Sequence, residues 1–464
     1  MRVRILIVFT ALAALLFGGC TGKHEPAPVI GIWQGSLTLM GVEYRIIFSV
    51  FQYGDGRLGG TMLRPDETDE ELRITHMTFQ DGRVRIEMGT INAVFDGYFR
   101  PDGMEMDGVW QDPRFRQRIV LQRLPGMPDL RKPQDPARPY TYDEEHLSFE
   151  NLDAPARLAG TLTLPREAHP VPALVLISGG GPQNRDGLIL GHRPFLVMAD
   201  YLTRHGIAVL RFDDRGVGAS TGDRSMATTE DYAGDALAGV AYLKTREEID
   251  PARIGLLGHS EGGTIAHIAA AGSDDVAFIV MMASPGLPGD EYNIQFEESI
   301  GRVQGLTDEV IASKRAIQEQ IFAILRETDP DSVLAGRLTE ILVGLEPPLS
   351  VDRIQSTVDW YLHPWFRFSV TYDPAPVLRK VKCPVLALYG ERDVQVPPER
   401  NAEAVEAALR AGRNKHRRVE VLPGLNHLFQ TADTGAPSEY SRIQETLSPA
   451  VLELVGTWIL EQSP

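Results

Sequence analysis

The pentapeptide Gly258–Gly262 carries a serine with a glycine two residues away on either side. It follows the short apolar run Arg253–Leu257 and precedes the helix-like stretch Thr264–Ala271. This strand–turn–helix context predicts a nucleophile elbow, a tight and strained turn from which the hydroxyl of Ser260 projects alone. The glycines let strand and helix pass closely without a Cβ clash. An idle serine in a glycine-rich turn is the structural alternative.

A serine hydroxyl reacts only when a base removes its proton and a third group orients that base. Asp393 follows the apolar run Pro384–Tyr389, which places it on a loop after a strand. His427 follows Arg418–Leu422 in the same way. The order serine, acid, histidine is the one that accompanies such an elbow. Glu391 is the competing acid, but the Gly-x-x-Asp spacing of Asp393 gives the chain room to turn back.

The tetrahedral intermediate of acyl transfer carries an oxyanion, which needs fixed hydrogen-bond donors. The backbone N–H of Glu261 is one expected donor because this residue follows the nucleophile. The second is expected from the glycine-rich loop Ser178–Pro182, with Gly180 preferred and Gly181 next. A plain glycine turn is the structural alternative for this loop.

Four other polar residues near these motifs receive structural interpretations. His259 and His267 precede the acid in the chain, which is the wrong order for the base. Asp214 and Arg215 are predicted to form an ion pair at a strand end.

From about residue 143 onwards, apolar strand-like runs alternate with helix-like stretches. This alternation predicts a mainly parallel, doubly wound sheet with helices on both faces, and active sites of such sheets lie at the carboxyl ends of the strands. Between Gly286 and Phe368 the strand pattern disappears and three helix-like pieces follow. We expect a helical lid over about 287–368, whose apolar stripe is either packing surface or pocket wall.

The N-terminal part of the chain has a different pattern. Residues 30–124 contain short alternating runs separated by turn signals such as Asp81-Gly82, which predicts a small antiparallel barrel or sandwich of roughly eight strands. Trp33 and Trp110 are expected in its core. The proline-rich stretch 125–142 is the predicted linker between this domain and the segment 143–464.

The first residues have the composition of a targeting segment. Arg2 and Arg4 precede the apolar stretch Ile5–Phe17, too short to span a bilayer as a stable helix. Residues 1–19 are therefore predicted to be a signal peptide. Small residues before Cys20 resemble a bacterial lipoprotein cleavage site, so Cys20 is the expected lipidation site and 20–29 the tether. An ordinary secretory signal with a coincidental cysteine is the alternative.

Bulk composition narrows the partners and the location. The chain has 464 residues, enough for two or more domains, and a net charge of −17. Because phosphate binding needs a basic face, this charge argues against nucleic acid as a partner. We expect an exported protein of the bacterial cell envelope, held at the membrane only through a lipid at Cys20.

The motifs of the second segment also resemble a known family. Over about residues 143–464 they are similar to bacterial α/β-hydrolases of the EstD-like carboxylesterase group. The resemblance rests on Ser178–Asp186, Asp213–Gly218, Gly258–Gly263 and Gly424–Gln430. It implies the α/β-hydrolase fold and a serine esterase that acts on short or medium acyl esters without a cofactor or metal. It also implies that Ser260, Asp393 and His427 form the catalytic triad.

Three functions remain open on this evidence. The leading hypothesis is hydrolysis of a small-molecule ester through an acyl-enzyme formed on Ser260. A serine peptidase or aminopeptidase of the same fold is the second. A surface-anchored binding lipoprotein with an inactive hydrolase domain is the third, and the presence of all three triad residues weighs against it.

Overall fold

The computed structural model describes residues 26–39, 41–113, 115–166 and 170–462. The predicted signal peptide, Cys20 and the first part of the tether lie outside these residues. Within them the chain forms two compact units: the first holds the residues up to Ser36, Ile46–Leu63 and Glu70–Pro128, and the second holds Leu37–Arg45, Arg64–Asp69 and the chain from Asp129 onwards. None of the helices in the described ranges combines the length and the apolar character needed to cross a bilayer.

Nine strands form the N-terminal sheet, in the order β4-β3-β2-β1-β9-β8-β7-β6-β5, with antiparallel pairing. Their bounds are β1 Gly31–Leu39, β2 Val42–Gln52, β3 Leu58–Leu63, β4 Leu72–Arg73, β5 His76–Gln80, β6 Arg83–Met88, β7 Ala93–Phe99, β8 Glu105–Gln111 and β9 Arg116–Leu124. A single 3-10 turn, Gly89–Ile91, joins β6 to β7.

The period-2 pattern of this sheet follows its sequence. In β6 the side chains of Val84, Ile86 and Met88 are fully buried and the residues between them face outwards. Asp81 and Gly82 both have positive φ, of 51° and 78°, as the tight hairpin between β5 and β6 requires. Trp33 and Trp110 are buried, in agreement with their predicted place in the core.

Eight strands form the second sheet, in the order β10-β11-β13-β12-β14-β15-β16-β17. Their bounds are β10 Asp143–Asn151, β11 Ala156–Leu164, β12 Val171–Ile177, β13 Ala208–Phe212, β14 Ile249–His259, β15 Phe278–Met282, β16 Val385–Gly390 and β17 Arg417–Leu422. The pairs from β13 to β17 are parallel, and β10 and β11 join antiparallel at one edge. The predicted mainly parallel sheet is confirmed, and its strand order is that of the α/β-hydrolase fold.

Helices cover both faces of this sheet. The helices are α1 Pro194–Arg204, α2 Thr229–Leu243, α3 Glu261–Gly272, α4 Gly289–Val303, α5 Asp308–Leu325, α6 Asp331–Val343, α7 Val351–Leu362, α8 Pro364–Thr371, α9 Pro374–Leu378, α10 Pro398–Ala411, α11 Pro437–Tyr440 and α12 Pro449–Glu461. In β12, Val175 joins the core beneath α2, α3 and α10, while its neighbour Leu174 joins the core beneath α1 and α12. Central strands are therefore apolar on both faces, which explains their unbroken apolar runs.

Helices α4 to α8 form one insertion between β15 and β16, which are neighbouring strands of the sheet. Sequence periodicity located α5, α6 and α7 but missed α4 and α8. The insertion has an apolar core of its own, built around Ile321, Leu334 and Val358. Its two ends meet, since the Gly289 N–H donates to the Tyr372 carbonyl at 2.8 Å.

Candidate active site

The turn after β14 holds Ser260 in a strained conformation. Its φ is 57° and its ψ is −120°, a region that non-glycine residues rarely adopt. The Ser260 N–H donates to the Met282 carbonyl at 2.8 Å, which ties the turn to β15. A Cβ on Gly258 would lie 1.9 Å from the Gly262 carbonyl oxygen, and a Cβ on Gly262 would lie 2.3 Å from that of Ile177. The glycines of the predicted elbow are therefore sterically required.

The structure brings Asp393 and His427 together at the carboxyl ends of β16 and β17. His427 Nδ1 lies 2.8 Å from Asp393 Oδ2, and both residues are buried. The other carboxylate oxygen accepts the N–H groups of Gln395 and Val396, each at 2.8 Å. When the Asp393 carboxylate accepts a hydrogen bond from Nδ1–H, Nε2 is left as the basic nitrogen.

Glu391 is engaged elsewhere in the same loop. Its Oε2 accepts the backbone N–H of Gly424 at 2.8 Å. Of the two acids weighed from the sequence, Asp393 is thus the one that the structure places against the histidine.

His259 links the serine turn to the histidine loop. Its Nε2 lies 2.8 Å from the His427 carbonyl oxygen, and the two rings are 4.7 Å apart between centroids. Burial lowers the pKa of His259 to about 3, so the ring stays neutral and donates from Nε2. The structural interpretation of His259 is therefore sharpened: it holds the loop of the candidate base.

His267 lies on α3 behind the turn and, like His259, connects two segments of the chain. Its Nδ1 lies 3.1 Å from the Gly263 carbonyl, and its Nε2 lies 2.8 Å from the Tyr372 hydroxyl. Burial lowers the pKa of His267 to about 3. A neutral ring that donates to Gly263 must accept from Tyr372, so it ties α3 to the residue that ends α8.

The loop after β12 is held by Asp214. Ser178 Oγ donates to Asp214 Oδ1 at 2.6 Å, and the Gln183 N–H donates to Oδ2 at 2.9 Å. Burial raises the pKa of Asp214 to about 7, against these two bonds, which favour the ionised form. Because both ends of the loop are anchored, Gly180 and Gly181 between them are presented in a defined conformation.

The predicted ion pair of Asp214 and Arg215 is wrong. Arg215 instead binds Asp235 on α2, with both Nε and Nη2 at 2.8 Å from its carboxylate oxygens. Asp214 and Arg215 are neighbours in sequence but bind different segments, so tertiary contacts decide the pairing.

The two glycines predicted as oxyanion donors occupy different surroundings. Gly180 lines a large cavity together with Ser260 and Glu261. Gly181, with φ of 88°, lines a small adjacent cavity instead. This favours Gly180 over Gly181 as the second backbone donor beside the N–H of Glu261.

The large cavity has a volume of about 650 Å³ and opens beside Ser260. Its wall is rich in aromatic residues from the insertion, chiefly Tyr292, Phe296, Trp360, Trp365, Phe366 and Phe368. Part of the apolar surface predicted for the insertion therefore lines a pocket. A predominantly apolar cavity of this size suits a small organic ligand.

The side chain of Glu261 was missed as a site residue from the sequence. Its Oε1 accepts from Thr229 Oγ1 and from Trp365 Nε1, each at 2.7 Å. Burial raises the pKa of Glu261 against these two bonds. Residues 229, 261 and 365 are distant in the chain and follow no shared pattern, so only the fold brings them together.

No group of three His, Cys, Asp or Glu side chains that could hold a metal ion occurs among the residues that the structure describes.

Comparison with known proteins identifies relatives of the second unit. A family described as serine aminopeptidase, S33, matches residues 193–334. The esterase EstD of Thermotoga maritima is 25% identical over 320 residues, which is 68% of each chain. An uncharacterised 31.7 kDa protein from the traX–finO intergenic region of Escherichia coli is 25% identical over 240 residues, 51% of this chain and 75% of that protein.

Among solved structures, the esterase Est1E of Butyrivibrio proteoclasticus with bound ferulic acid has a TM-score of 0.41 and 20% identity. That match covers 68% of this chain and 98% of Est1E. The strand order, the serine elbow and the sequence similarity to hydrolases together support a hydrolase with the α/β-hydrolase fold.

Proposed function

We propose that the chain is a serine carboxylesterase that hydrolyses acyl esters through an acyl-enzyme on Ser260. The observation that carries the proposal is the buried Asp393–His427 pair, whose histidine loop is tied to His259, the residue before the nucleophile. Nucleophile, base and orienting acid are the three parts that hydroxyl activation requires.

In the proposed reaction, His427 Nε2 takes the proton of Ser260 as Oγ attacks the ester carbonyl. Asp393 keeps the ring in the tautomer with hydrogen on Nδ1 and stabilises the imidazolium. The N–H groups of Glu261 and Gly180 bind the oxyanion. His427 then protonates the leaving alkoxide, and water, activated by the same ring, releases the acid.

The aromatic lining of the cavity is compatible with an ester substrate that has an apolar acyl or alcohol group. Its aromatic wall comes from α4, α7 and α8, and we propose that this insertion acts as the lid of the site. The similarity to EstD points to the same substrate class. Short and medium acyl chains are the proposed range, with cleavage of aminoacyl amides as the competing activity.

The proposal is tested first with a fluorophosphonate probe, which phosphonylates an activated serine with loss of fluoride. Wild type should be labelled, Ser260→Ala should not, and Ser273→Ala, at the other end of the same helix, should be labelled like wild type. Labelling of Ser260→Ala, or none of wild type, would refute the assigned nucleophile.

A substrate panel then separates the two activities. p-Nitrophenyl esters of increasing acyl length are compared with aminoacyl p-nitroanilides on the same enzyme. We expect kcat/KM for the best ester to exceed that for the best anilide by at least about 100-fold, because amides have a poor leaving group. The reverse order would favour the peptidase.

We further propose, from the leader sequence alone, that the protein is exported and lipidated at Cys20. Metabolic labelling with a radioactive fatty acid should mark wild type and spare Cys20→Ser. Equal labelling of both, or of neither, contradicts the anchor.

A further inference from the structure

The carboxyl group of Glu261 is bound asymmetrically. Its Oε1 receives two hydrogen bonds, from Thr229 at the start of α2 and from Trp365 on α8. Its Oε2 faces the loop after β12, where it lies 3.2 Å from the point that a Cβ on Gly180 would occupy. One oxygen is thus fixed by the protein, and the other is directed to where the second oxyanion donor is proposed.

Glu261 also lies at the cavity. Together with Ser260 and Gly180 it is one of the residues that line the cavity, so a ligand bound there would lie beside it. The backbone N–H of Glu261 is itself a proposed oxyanion donor. Its side chain therefore lies beside the place where negative charge would develop during ester hydrolysis.

The surroundings of Glu261 disfavour a negative charge on its carboxyl group. The titratable or charged groups on the elements around it and along the two adjoining cavities are Asp214 after β13, Tyr232 and Asp235 on α2, Tyr292 and Glu297 on α4, Arg353 and Tyr361 on α7, and Tyr372 after α8. Arg215 is bound to Asp235. A carboxyl group enclosed by aromatic rings and other acids is more stable when neutral.

The hydrogen bonds locate the proton of the neutral acid. Oε1 accepts from two donors, so it has the role of the carbonyl oxygen, and the hydroxyl is Oε2–H. An ionised carboxylate at this position would repel the oxyanion across a site of low dielectric. A neutral acid at the same position would stabilise it.

We propose that Glu261 is a catalytic residue that acts as a neutral acid. It donates a hydrogen bond from Oε2–H to the carbonyl oxygen of the scissile ester as the oxyanion forms. This role rests on the proposed esterase function. The proton stays on Glu261 throughout, so no bond to it forms or breaks, and the side chain adds a third donor to the N–H groups of residues 261 and 180.

The pH dependence of ester hydrolysis tests this role. With an uncharged p-nitrophenyl ester, wild-type kcat/KM should fall on the alkaline side as Glu261 ionises. Glu261→Gln keeps a carbonyl for Thr229 and Trp365 and presents an amide N–H in place of Oε2–H. We expect kcat/KM of this variant at its pH optimum to be about tenfold lower than that of wild type, and the decrease at alkaline pH to be absent.

Thr229→Val provides a second, directional test. It removes one hydrogen bond that favours the ionised carboxylate, so the pKa of Glu261 should rise and the alkaline fall should move up by about one pH unit. In Glu261→Gln, which has no carboxyl group at this position, the added Thr229→Val substitution should leave the pH profile of kcat/KM unchanged. The shift in the single variant Thr229→Val keeps the proposal testable if Glu261→Gln folds poorly.

The outcomes separate this role from the esterase function. An active wild type that lacks an alkaline fall, or whose fall persists unchanged in Glu261→Gln, overturns the role of Glu261 only. A wild type with neither turnover nor labelling at Ser260 overturns the function on which the role rests. Infrared spectra then still report whether a protonated carboxyl band at neutral pH disappears in Glu261→Gln.

Discussion

At the scale of single residues, the candidate site is a set of side chains with one assigned partner each. Asp393 orients His427, His259 holds the carbonyl of His427, and Asp214 anchors the loop that carries Gly180. Such partners restrict the reacting groups to one geometry, which is how proximity and preorganisation lower a barrier.

Replacing Asp393 by Asn should invert the tautomer of His427. The amide would donate to Nδ1, leaving hydrogen on Nε2, where the base must accept. We expect kcat for ester hydrolysis to fall by about 10³- to 10⁴-fold with little change in thermal stability. Glu391→Gln is the matched control and should retain nearly all activity; a larger loss there would make Glu391 the acid.

His259 is a positioning residue, and its removal should affect turnover more than binding. His259→Ala loses the bond to the His427 carbonyl, so kcat should fall by about tenfold to 100-fold while KM changes little. His259→Gln keeps a donor and should recover part of kcat. Equal defects in both variants would mean that packing, not the hydrogen bond, explains the loss.

At the scale of elements, the crossing of β14 and α3 is tightly constrained by backbone contacts. The Cβ positions of Gly258 and Gly262 fall on backbone atoms, which cannot move as the tip of a side chain can. The strain at Ser260 persists because these contacts leave the turn no alternative.

A methyl group at Gly262 should therefore disrupt the turn. Its Cβ would lie 2.3 Å from the Ile177 carbonyl oxygen and 2.5 Å from that of Ser178. We expect Gly262→Ala to lower the free energy of unfolding by about 3 kcal/mol and to abolish probe labelling. The control is Gly272→Ala at the end of the same helix, where no atom lies within 4 Å, and there stability should change by less than about 0.5 kcal/mol.

The elements also show what sequence reasoning reaches and where it stops. The strands and helices around the site were predictable because apolar periodicity and turn residues are local signals. Helix α4 was missed because the three helix-like pieces recognised in the sequence begin after it. The partner of Arg215 and the side-chain environment of Glu261 were not predictable, since both depend on contacts between distant segments. The roles of the triad residues stay predictions, although two of the three now lie in contact.

At the scale of the whole molecule, buried ionisable groups make stability depend on pH. Burial lowers the pKa of His192 to about 4 and those of His259 and His267 to about 3. Below about pH 6.5 these histidines are protonated in the unfolded chain but remain neutral in the folded protein. Their contribution to stability is therefore lost as the pH falls. Asp214 and Glu261, with raised pKa values, act in the opposite sense and lose stability as the pH rises.

His267→Gln isolates one of these contributions. At pH 8 the variant should be less stable than wild type by about 1 to 2 kcal/mol, through altered packing. Between about pH 6.5 and the pKa of about 3, the difference should change in favour of the variant by roughly 1.4 kcal/mol per pH unit, because only wild type loses stability through this group. It should therefore vanish at about pH 5 to 6 and then reverse sign. Denaturant unfolding at a series of pH values measures the difference, and a constant value would show that the folded ring binds protons as readily as the unfolded one.

The joined ends of the insertion have a consequence for how specificity can change. Residues 289 and 372 meet at a hydrogen bond, and the chain between them leaves and returns between two adjacent strands. Most aromatic residues of the cavity wall lie within this detour, whereas Ser260, Asp393 and His427 lie outside it. Under the proposed esterase function, exchanging this segment for one of another length or composition should change which esters are preferred, while the proposed nucleophile, base and orienting acid stay in place.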